Sequence, residues 1–291
     1  MHHTEHMTQP ELLVVLQSHS ITDNQKVLGF VNESQLRYVG HGKATVSKVC
    51  FSSLAAALIH LKQSYPHNTV RLHVIDDRSD SHVLEHFHTH MQQLNANGVE
   101  STIAALDGEG LPHSCRRQYE YGRDHGHDLV YFAQDDYLFY PNAFKLMVEQ
   151  YSSSSAIVGA PVSIFPYNNP HEYILENSAL KCNLIQGSDR YWRTCIHPAC
   201  CFMTHVSVIR QHWDLFDAFW QHEVNSTMEL DTISRLFWER QLVLLVPIPS
   251  LALHLQYESE KDPFLDWKML WDHYHKQVPL DVTSVWCQYS I

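Results

Sequence analysis

Between Asp128 and Tyr137 an apolar and aromatic run, Leu129-Val130-Tyr131-Phe132-Ala133, ends just before two adjacent carboxylates, Asp135 and Asp136. The run is short, β-prone and apolar on both faces, the pattern of a central strand covered on both sides. Carboxylates at such a place are costly to desolvate unless a cation meets them. The carboxyl ends of strands in open α/β sheets are also where ligands bind. A divalent metal, or a metal-bound phosphate, at Asp135 and Asp136 satisfies both constraints. A surface turn is the plainer alternative, because Asp is common at strand ends and Pro141 follows closely.

A second stretch repeats the pattern. Thr69 to Ile75 is strand-like and runs into Asp76-Asp77-Arg78-Ser79-Asp80. Two strands that both finish in paired acids predict one acidic crevice at one edge of one sheet.

The rest of the chain supplies the helices such a sheet needs. Leu12 to Leu16 reads as a first buried strand. Apolar residues at helical spacing from Thr45 to Ser64 predict a helix stopped by Pro66 and Asn68. Ser79 or Asp80 can cap a helix over Ser81 to Leu94, with Gly98 as its terminator. Val99 to Ala105 reads as a strand, Asp107 to Gly110 as a loop and Ser114 to Arg123 as a helix. Asn142 to Tyr151 is helical, and after a Ser run Ala156 to Phe165 reads as a strand, then Pro166 to Pro170 as loop. Short strands are possible over 26–31 and 36–39. This alternation predicts an α/β fold with a mostly parallel central sheet flanked by helices. The later half is mixed. Tyr191 to Thr194, Ala199 to Thr204, Leu242 to Val246 and Leu251 to Leu255 look extended. Val206 to Trp220, Thr227 to Arg240 and Phe264 to His275 look helical.

Length and charge narrow the function. The 291 residues suit one domain, with 1–10 expected to be disordered, and 44% hydrophobic content allows a sizeable core. A formal net charge of −12 argues against non-specific nucleic-acid binding. The seven Cys are an odd number without framework spacing, as in a reduced, cytoplasmic protein. No transmembrane segment or signal peptide is expected.

With both acidic strand ends placed, the chain resembles the GT-A glycosyltransferases, in particular their family 2-like branch, over roughly Leu12 to Leu255. Val74-Ile75-Asp76-Asp77-Arg78-Ser79 is similar to the family's strand ending in Asp-Asp-x-Ser. Tyr131 to Leu138 is similar to its metal-binding DxD element in the x-Asp-Asp form, with Gln134 where relatives often carry Glu. Glu229-Leu230-Asp231-Thr232 resembles the acidic helix start on the acceptor side, and His254 stands where some members place a late His. The resemblance implies a single domain with a nucleotide-sugar-binding half over 12–165 and an acceptor-binding half over 166–291. It implies that Asp76, with Asp77 and Ser79, reads the nucleotide base, and that Asp135 lies near the ribose. Asp136 and His254 then hold Mn2+ or Mg2+ at the donor diphosphate, and Asp231, in preference to Glu229, is the catalytic base. The implied reaction moves a sugar from a UDP- or GDP-sugar to a hydroxyl of a glycan, polysaccharide or lipid-linked acceptor, with inversion.

These residue types suit that chemistry. A divalent ion offsets charge that grows on a diphosphate leaving group, hard oxygen ligands suit Mg and Mn, and a nucleobase N–H matches a strand-end carboxylate. Helix capping competes as an account of Asp231, and a satisfied structural His as an account of His254. Tyr191, Trp192 and Trp213 are candidate sugar platforms or simply core. Arg190, Arg193, Arg116 and Arg117 are candidate phosphate contacts or solvated charges. A sugar-phosphate nucleotidyltransferase is a second reading, against which Gln17-Ser18-His19-Ser20 after the first strand has no glycine. A degenerate carbohydrate- or nucleotide-binding module is a third. The order Asp76-Asp77-Arg78-Ser79 does not match a HAD-type phosphatase.

Overall fold

A computed structural model of the chain describes residues 9–20, 39–108, 110–168, 182–222, 228–256 and 262–276. The first eight residues of the expected disordered start, the possible strands over 26–31 and 36–38, the end of the 166–170 loop and Thr227 lie outside the described residues.

Strand β1, Leu12–Ser18, is buried along its whole length. It is flanked on both sides by parallel strands, β2 (Val70–Asp76) and β4 (Leu129–Gln134). Burial on both faces explains why Leu12-Leu13-Val14-Val15-Leu16 and Leu129-Val130-Tyr131-Phe132-Ala133 are continuous apolar runs rather than alternating ones. β3 (Glu100–Ala105) extends the parallel set beyond β2. A short β5 (Tyr137–Phe139) follows β4 directly, and β6 (Ser163–Ile164), β7 (Leu184–Gln186), β8 (Tyr191–Cys195), β9 (Met203–His205), β10 (Leu244–Ile248) and β11 (Ala252–His254) come later. Among the described residues the main sheet has nine strands in the order β3-β2-β1-β4-β9-β6-β10-β8-β7, and β11 pairs with β5 in a separate two-stranded sheet. The β4–β9, β6–β9, β8–β10 and β7–β8 pairings are antiparallel, so the later half is mixed.

Helices α1 (Lys43–Ser64), α2 (Ser81–Ala96), α3 (Gly110–His125) and α4 (Ala143–Val158) accompany the early strands. Shorter ones follow: α5 (Val206–Gln211), α6 (Trp213–Gln221), α7 (Met228–Asp231), α8 (Arg235–Trp238) and α9 (Trp267–Lys276). Among the described residues α1 alone is long and apolar enough to cross a membrane, yet it is packed within the fold, with Val46, Ala57 and Leu58 fully buried. α3 lies close against the sheet at Gly122, where a Cβ would meet Phe132 Cε1 and Val130 Cγ1 at 2.8 Å.

The structure corrects several sequence boundaries. Ala156 to Phe165 is not one strand: α4 continues through the Ser run to Val158, and only Ser163–Ile164 pair. The Ser152 and Ser153 hydroxyls donate back to the carbonyls of Val148 and Gln150, so the helix absorbs them. The helix ends at Gly159, whose φ of +72° is left-handed. Ile157 is 84% exposed, which is why its β-branched chemistry misleads. The predicted helix over Val206 to Trp220 is broken at His212, and that over Thr227 to Arg240 becomes two single turns, α7 and α8. Ala199 and Cys200 are not extended but left-handed, with φ of +43° and +57°.

Candidate functional site

Register gathers the site. Ser18, the last residue of β1, pairs with Asp76, the last of β2, and Gln17 pairs with Gln134 at the end of β4. The chain turns of three adjacent parallel strands therefore open at one edge, where the strand order reverses around β1, the place such sheets offer to ligands.

The acid pair after β4 is held by a lysine that the sequence did not single out. Lys43, in the first turn of α1, places Nζ 2.6 Å from Asp135 Oδ1 and 3.4 Å from Asp136 Oδ2. Asp135 Oδ2 accepts from Ser18 Oγ at 3.0 Å, Ser20 Oγ at 2.8 Å, Ser47 Oγ at 3.0 Å and the His19 N–H at 3.2 Å. Both oxygens of Asp135 thus have partners in the chain itself, and the residue ties the turn after β1 to α1 and β4. Buried charge in this arrangement is paired and hydrogen-bonded, which makes its burial tolerable.

Asp136 is placed differently. Its backbone carbonyl accepts from Leu255 N–H, and the antiparallel β5–β11 ladder sets Tyr137 opposite His254. His254 stacks on the Tyr137 ring, centroids 4.7 Å apart, and its Nε2 lies 3.6 Å from Asp136 Oδ1. That gap exceeds a hydrogen bond. Neighbouring ligands of one octahedral Mn or Mg ion, each about 2.1 Å away, lie roughly 3 Å apart, so the pair would have to close by about half an ångström to share an ion. Among the described residues no group of three or more His, Cys, Asp or Glu side chains is placed to hold a metal ion by itself. Asp136 and His254 would supply a divalent ion with two ligands, one carboxylate oxygen and one imidazole nitrogen, and the rest of its shell would fall to phosphate oxygens and water.

Asp76 and Asp77 separate in role. Asp77 is 1% exposed and accepts from Gly110 N–H at 2.7 Å and Arg78 Nε at 2.8 Å, fastening the start of α3 to the β2 turn. Asp76 is 6% exposed and its Oδ2 accepts from Ser79 N–H at 3.2 Å, whereas its Oδ1 is buried with no hydrogen-bond partner. Burial pushes the Asp76 carboxyl up, against the bonds from Ser79, and the charges of Asp135 and Asp77 push the same way. Ser79 Oγ also accepts from Ser20 N–H at 3.0 Å, which couples the two turns. His19, another residue outside the sequence reading, directs Nδ1 to the Asp77 carbonyl at 2.6 Å and leaves Nε2 buried and unpartnered.

At α7, Glu229 and Asp231 diverge. Asp231 has a side chain 55% exposed, with His222 Nε2 at 3.5 Å. Glu229 is 24% exposed, with His197 Nε2 at 3.0 Å from Oε2 and the Cys200 thiol 2.7 Å from Oε1. The candidate arginines are engaged elsewhere. Arg193 is buried and donates to Asn168 Oδ1, and Arg190 donates to Asp189 and to the Pro249 carbonyl. Arg116 and Arg117 pair with Glu120. Trp192 is core and Trp213 stacks against Phe216, whereas Tyr191 is half-exposed.

No protein-family model matches the chain and no curated protein matches it. Among solved structures, GalNAc-T7 with UDP, GalNAc and Mn2+ is similar over 94% of this chain and 52% of that one, with a TM-score of 0.50 and 11% identity. The fold is GT-A-like. A UDP-glucose pyrophosphorylase complexed with UDP-glucose aligns over 92% of this chain and 98% of its own, with 9% identity and a TM-score of 0.45. The UDP-glucose pyrophosphorylase from Acinetobacter baumanii aligns over 95% of each chain, with 8% identity and a TM-score of 0.44.

Proposed function

We propose that the protein is a nucleotide-sugar-dependent glycosyltransferase that binds a nucleoside diphosphate sugar across the ends of β1, β2 and β4. The observation that carries this reading is the buried, unpartnered Oδ1 of Asp76 at the same sheet edge as the Asp136–His254 pair. An orphaned buried acceptor costs free energy unless a ligand N–H completes it. A uracil or guanine edge supplies such a donor.

In this reading Asp76 takes the base N–H, Ser79 and Asp77 hold the turn that presents it, and Asp135 fixes Lys43 beside the phosphate region. Asp136 and His254 would hold Mn2+ or Mg2+, which when bound supplies positive charge to the diphosphate leaving group. Four carboxylates here (Asp76, Asp77, Asp135, Asp136) face the cations Lys43 and Arg78, so the edge favours a further cation. Residues 12–165 form the donor half and 166–291 the acceptor half of one domain. The acceptor is a hydroxyl of a glycan, polysaccharide or lipid-linked sugar, and transfer inverts the anomeric centre in a cytoplasmic setting.

The test is a thermal-shift screen of UDP, GDP, CDP and dTDP, each with and without Mn2+, on the native chain and on Asp136→Asn and His254→Ala. Ligands that bind the native state raise Tm by mass action. The reading expects one diphosphate to give a Mn2+-dependent rise that both substitutions abolish. No rise with any diphosphate overturns it and leaves a degenerate binding module as the account of the fold.

A further inference from the structure

Helices α1 and α2 meet through a pair of imidazoles. His86 and His90 stand one turn apart on α2, so their side chains share a face. Both direct Nε2 at a single atom of α1, Ser52 Oγ, at 2.9 Å from His86 and 3.0 Å from His90. The two ring centroids are 4.6 Å apart in a T-shaped arrangement. One turn earlier on α1, the Lys48 carbonyl oxygen lies 3.0 Å from His86 Nε2 and 2.9 Å from Ser52 Oγ.

A contact between two helices does not need this arrangement. The Ser52 hydroxyl has one proton, which the Lys48 carbonyl accepts, and a single imidazole N–H then suffices for the hydroxyl oxygen. A second imidazole on the same oxygen brings another partly desolvated ring beside the first. Burial lowers His86 to a pKa of about 4, with the charges of His90 and Lys48 adding to it, and burial lowers His90 as well. Both rings are therefore neutral at pH 7, the form in which imidazole binds metals. In the Nδ1–H tautomer each presents an Nε2 lone pair toward the same point. Spacings of 2.9 and 3.0 Å are also those between neighbouring ligands held about 2.1 Å from one octahedral ion.

Neighbouring rings hold the pair in place. Phe51 and Phe87, which adjoin Ser52 and His86, are buried and stacked, with centroids 4.1 Å apart and 18° between planes. Phe51 also meets the His90 ring edge-on at 6.2 Å. Ser52, His86 and His90 all stand on regular helix, so their relative positions are set before any ligand arrives. The group is separate from the strand-end carboxylates: Ser52 stands roughly 13 Å along the α1 axis from Lys43, at 1.5 Å per residue.

We propose that His86 and His90 bind a transition-metal ion of the Zn2+, Ni2+ and Cu2+ class through their Nε2 atoms, with Ser52 Oγ and water completing the shell. Two His four residues apart on one helix face is a spacing with which helices present imidazoles to zinc. Neutral nitrogen donors select these ions over Mg2+ and Mn2+, which favour oxygen ligands. Binding needs no net loss of protons, because each Nε2 proton moves to Nδ1 of the same ring through solvent. The Lys48 ammonium, whose charge reaches His86, opposes a dication and limits the affinity. The ion ties α2 to α1, the helix whose Lys43 and Ser47 hold Asp135. The site is independent of the glycosyltransferase reading.

The experiment titrates the EDTA-treated native chain with Zn2+, Ni2+ and Cu2+ by calorimetry, without nucleotide, and follows Tm with each ion. Alongside run His86→Ala, His90→Ala, His86→Gln and His90→Gln, with His82→Ala and His88→Ala as controls that replace exposed imidazoles of the same helix. The chain has 23 His, so the differences between variants carry the result. The native chain is expected to bind one equivalent more of Zn2+ or Ni2+ than the His86 and His90 variants. It is expected to gain about 5 °C in Tm at ion concentrations roughly 100-fold above the dissociation constant. That gain is missing in the His86 and His90 variants and kept in His82→Ala and His88→Ala. The Gln variants retain a hydrogen-bonding side chain toward Ser52, so they lose the ion while staying folded. Lys48→Gln removes the opposing charge and is expected to tighten binding about threefold. Mg2+ and Mn2+ give no difference between the native chain and the variants. No rise in native Tm with any of the three ions, or an equal stoichiometry and rise in a folded His86→Gln or His90→Gln, overturns the proposal.

Discussion

Asp76→Asn separates a residue kept for a ligand from one kept for the fold. In the unliganded protein the Asp76 carboxyl is buried, one oxygen has no partner, and Asp77 and Asp135 repel its charge. An unpartnered buried polar atom costs about 1–3 kcal/mol. Asn keeps an acceptor for the Ser79 N–H and removes the charge, although its amide N–H2 then lacks a partner. A net gain of about 1 kcal/mol follows, or a rise in Tm of roughly 2 °C for a chain of this size. The sign with pH is fixed. The native carboxyl is raised in the folded state, so its penalty is present at high pH and fades as pH falls through that raised value. The gain from Asp76→Asn is therefore greatest at pH 8 and absent below the unfolded-state value near 3.8. Loss of a charge-assisted hydrogen bond to the base weakens nucleoside-diphosphate binding by about 10- to 100-fold. Calorimetric Tm from pH 4 to 8, with titrations of the diphosphate found in the screen, reads both effects. A variant no more stable than the native chain at pH 8, or one that binds equally well, refutes the reasoning.

Three further outcomes follow from the same geometry. Lys43→Met leaves two buried carboxylates without this ammonium and is expected to cost about 3–5 kcal/mol in urea unfolding, much of it recovered by adding Asp135→Asn in a double-mutant cycle. Gly122→Ala drives a methyl into Phe132 and Val130 and is expected to cost about 1–3 kcal/mol by the same assay, with the site carboxylates untouched. His73 is held near pKa 4, mainly by burial, with His125 and Arg117 adding to it, and stacks on Tyr121. Because its native value is depressed, it contributes stability above pH 6.5 that is lost as pH falls towards 4. His73→Phe is expected to flatten that part of the stability profile by up to about 3 kcal/mol, at 1.36 kcal/mol per pKa unit.

The fold and the acids at the ends of β2 and β4 were legible for one reason. β1 and β4 are apolar on both faces until they stop, and β2 sets Val70, Leu72 and Val74 against Arg71 and His73 before ending in Ile75, so Asp76, Asp135 and Asp136 stand out as changes of pattern. His254 was legible only through the resemblance, as the late His that some members carry, because a lone His among Leu251, Leu253 and Leu255 reads by itself as structural. Lys43 was not, because a lysine in a first helical turn looks like a solvated charge until the tertiary fold sets it beside Asp135. The serines around Asp135 were hidden by ordinary turn chemistry. His197 and Cys200 were hidden because Ala199 and Cys200 read as the start of a strand, and only their left-handed backbone turns the thiol to Glu229. The misread stretch after Tyr151 has the opposite origin: serines that usually compete with a helix satisfied their hydroxyls on its own carbonyls.

The two-stranded β5–β11 sheet gives the site a parity. Side chains alternate faces along a strand, so sliding β11 by a single residue would point His254 away from Asp136 and bring Leu253 or Leu255 in its place. On the proposed function, a deletion of one residue between Ser250 and Ala252 would thus remove one ion ligand while sparing the turn at Asp76. Such a lesion would separate the two halves of the proposed donor recognition, one written locally in the β2 turn and the other completed only when the distant end of the chain comes home.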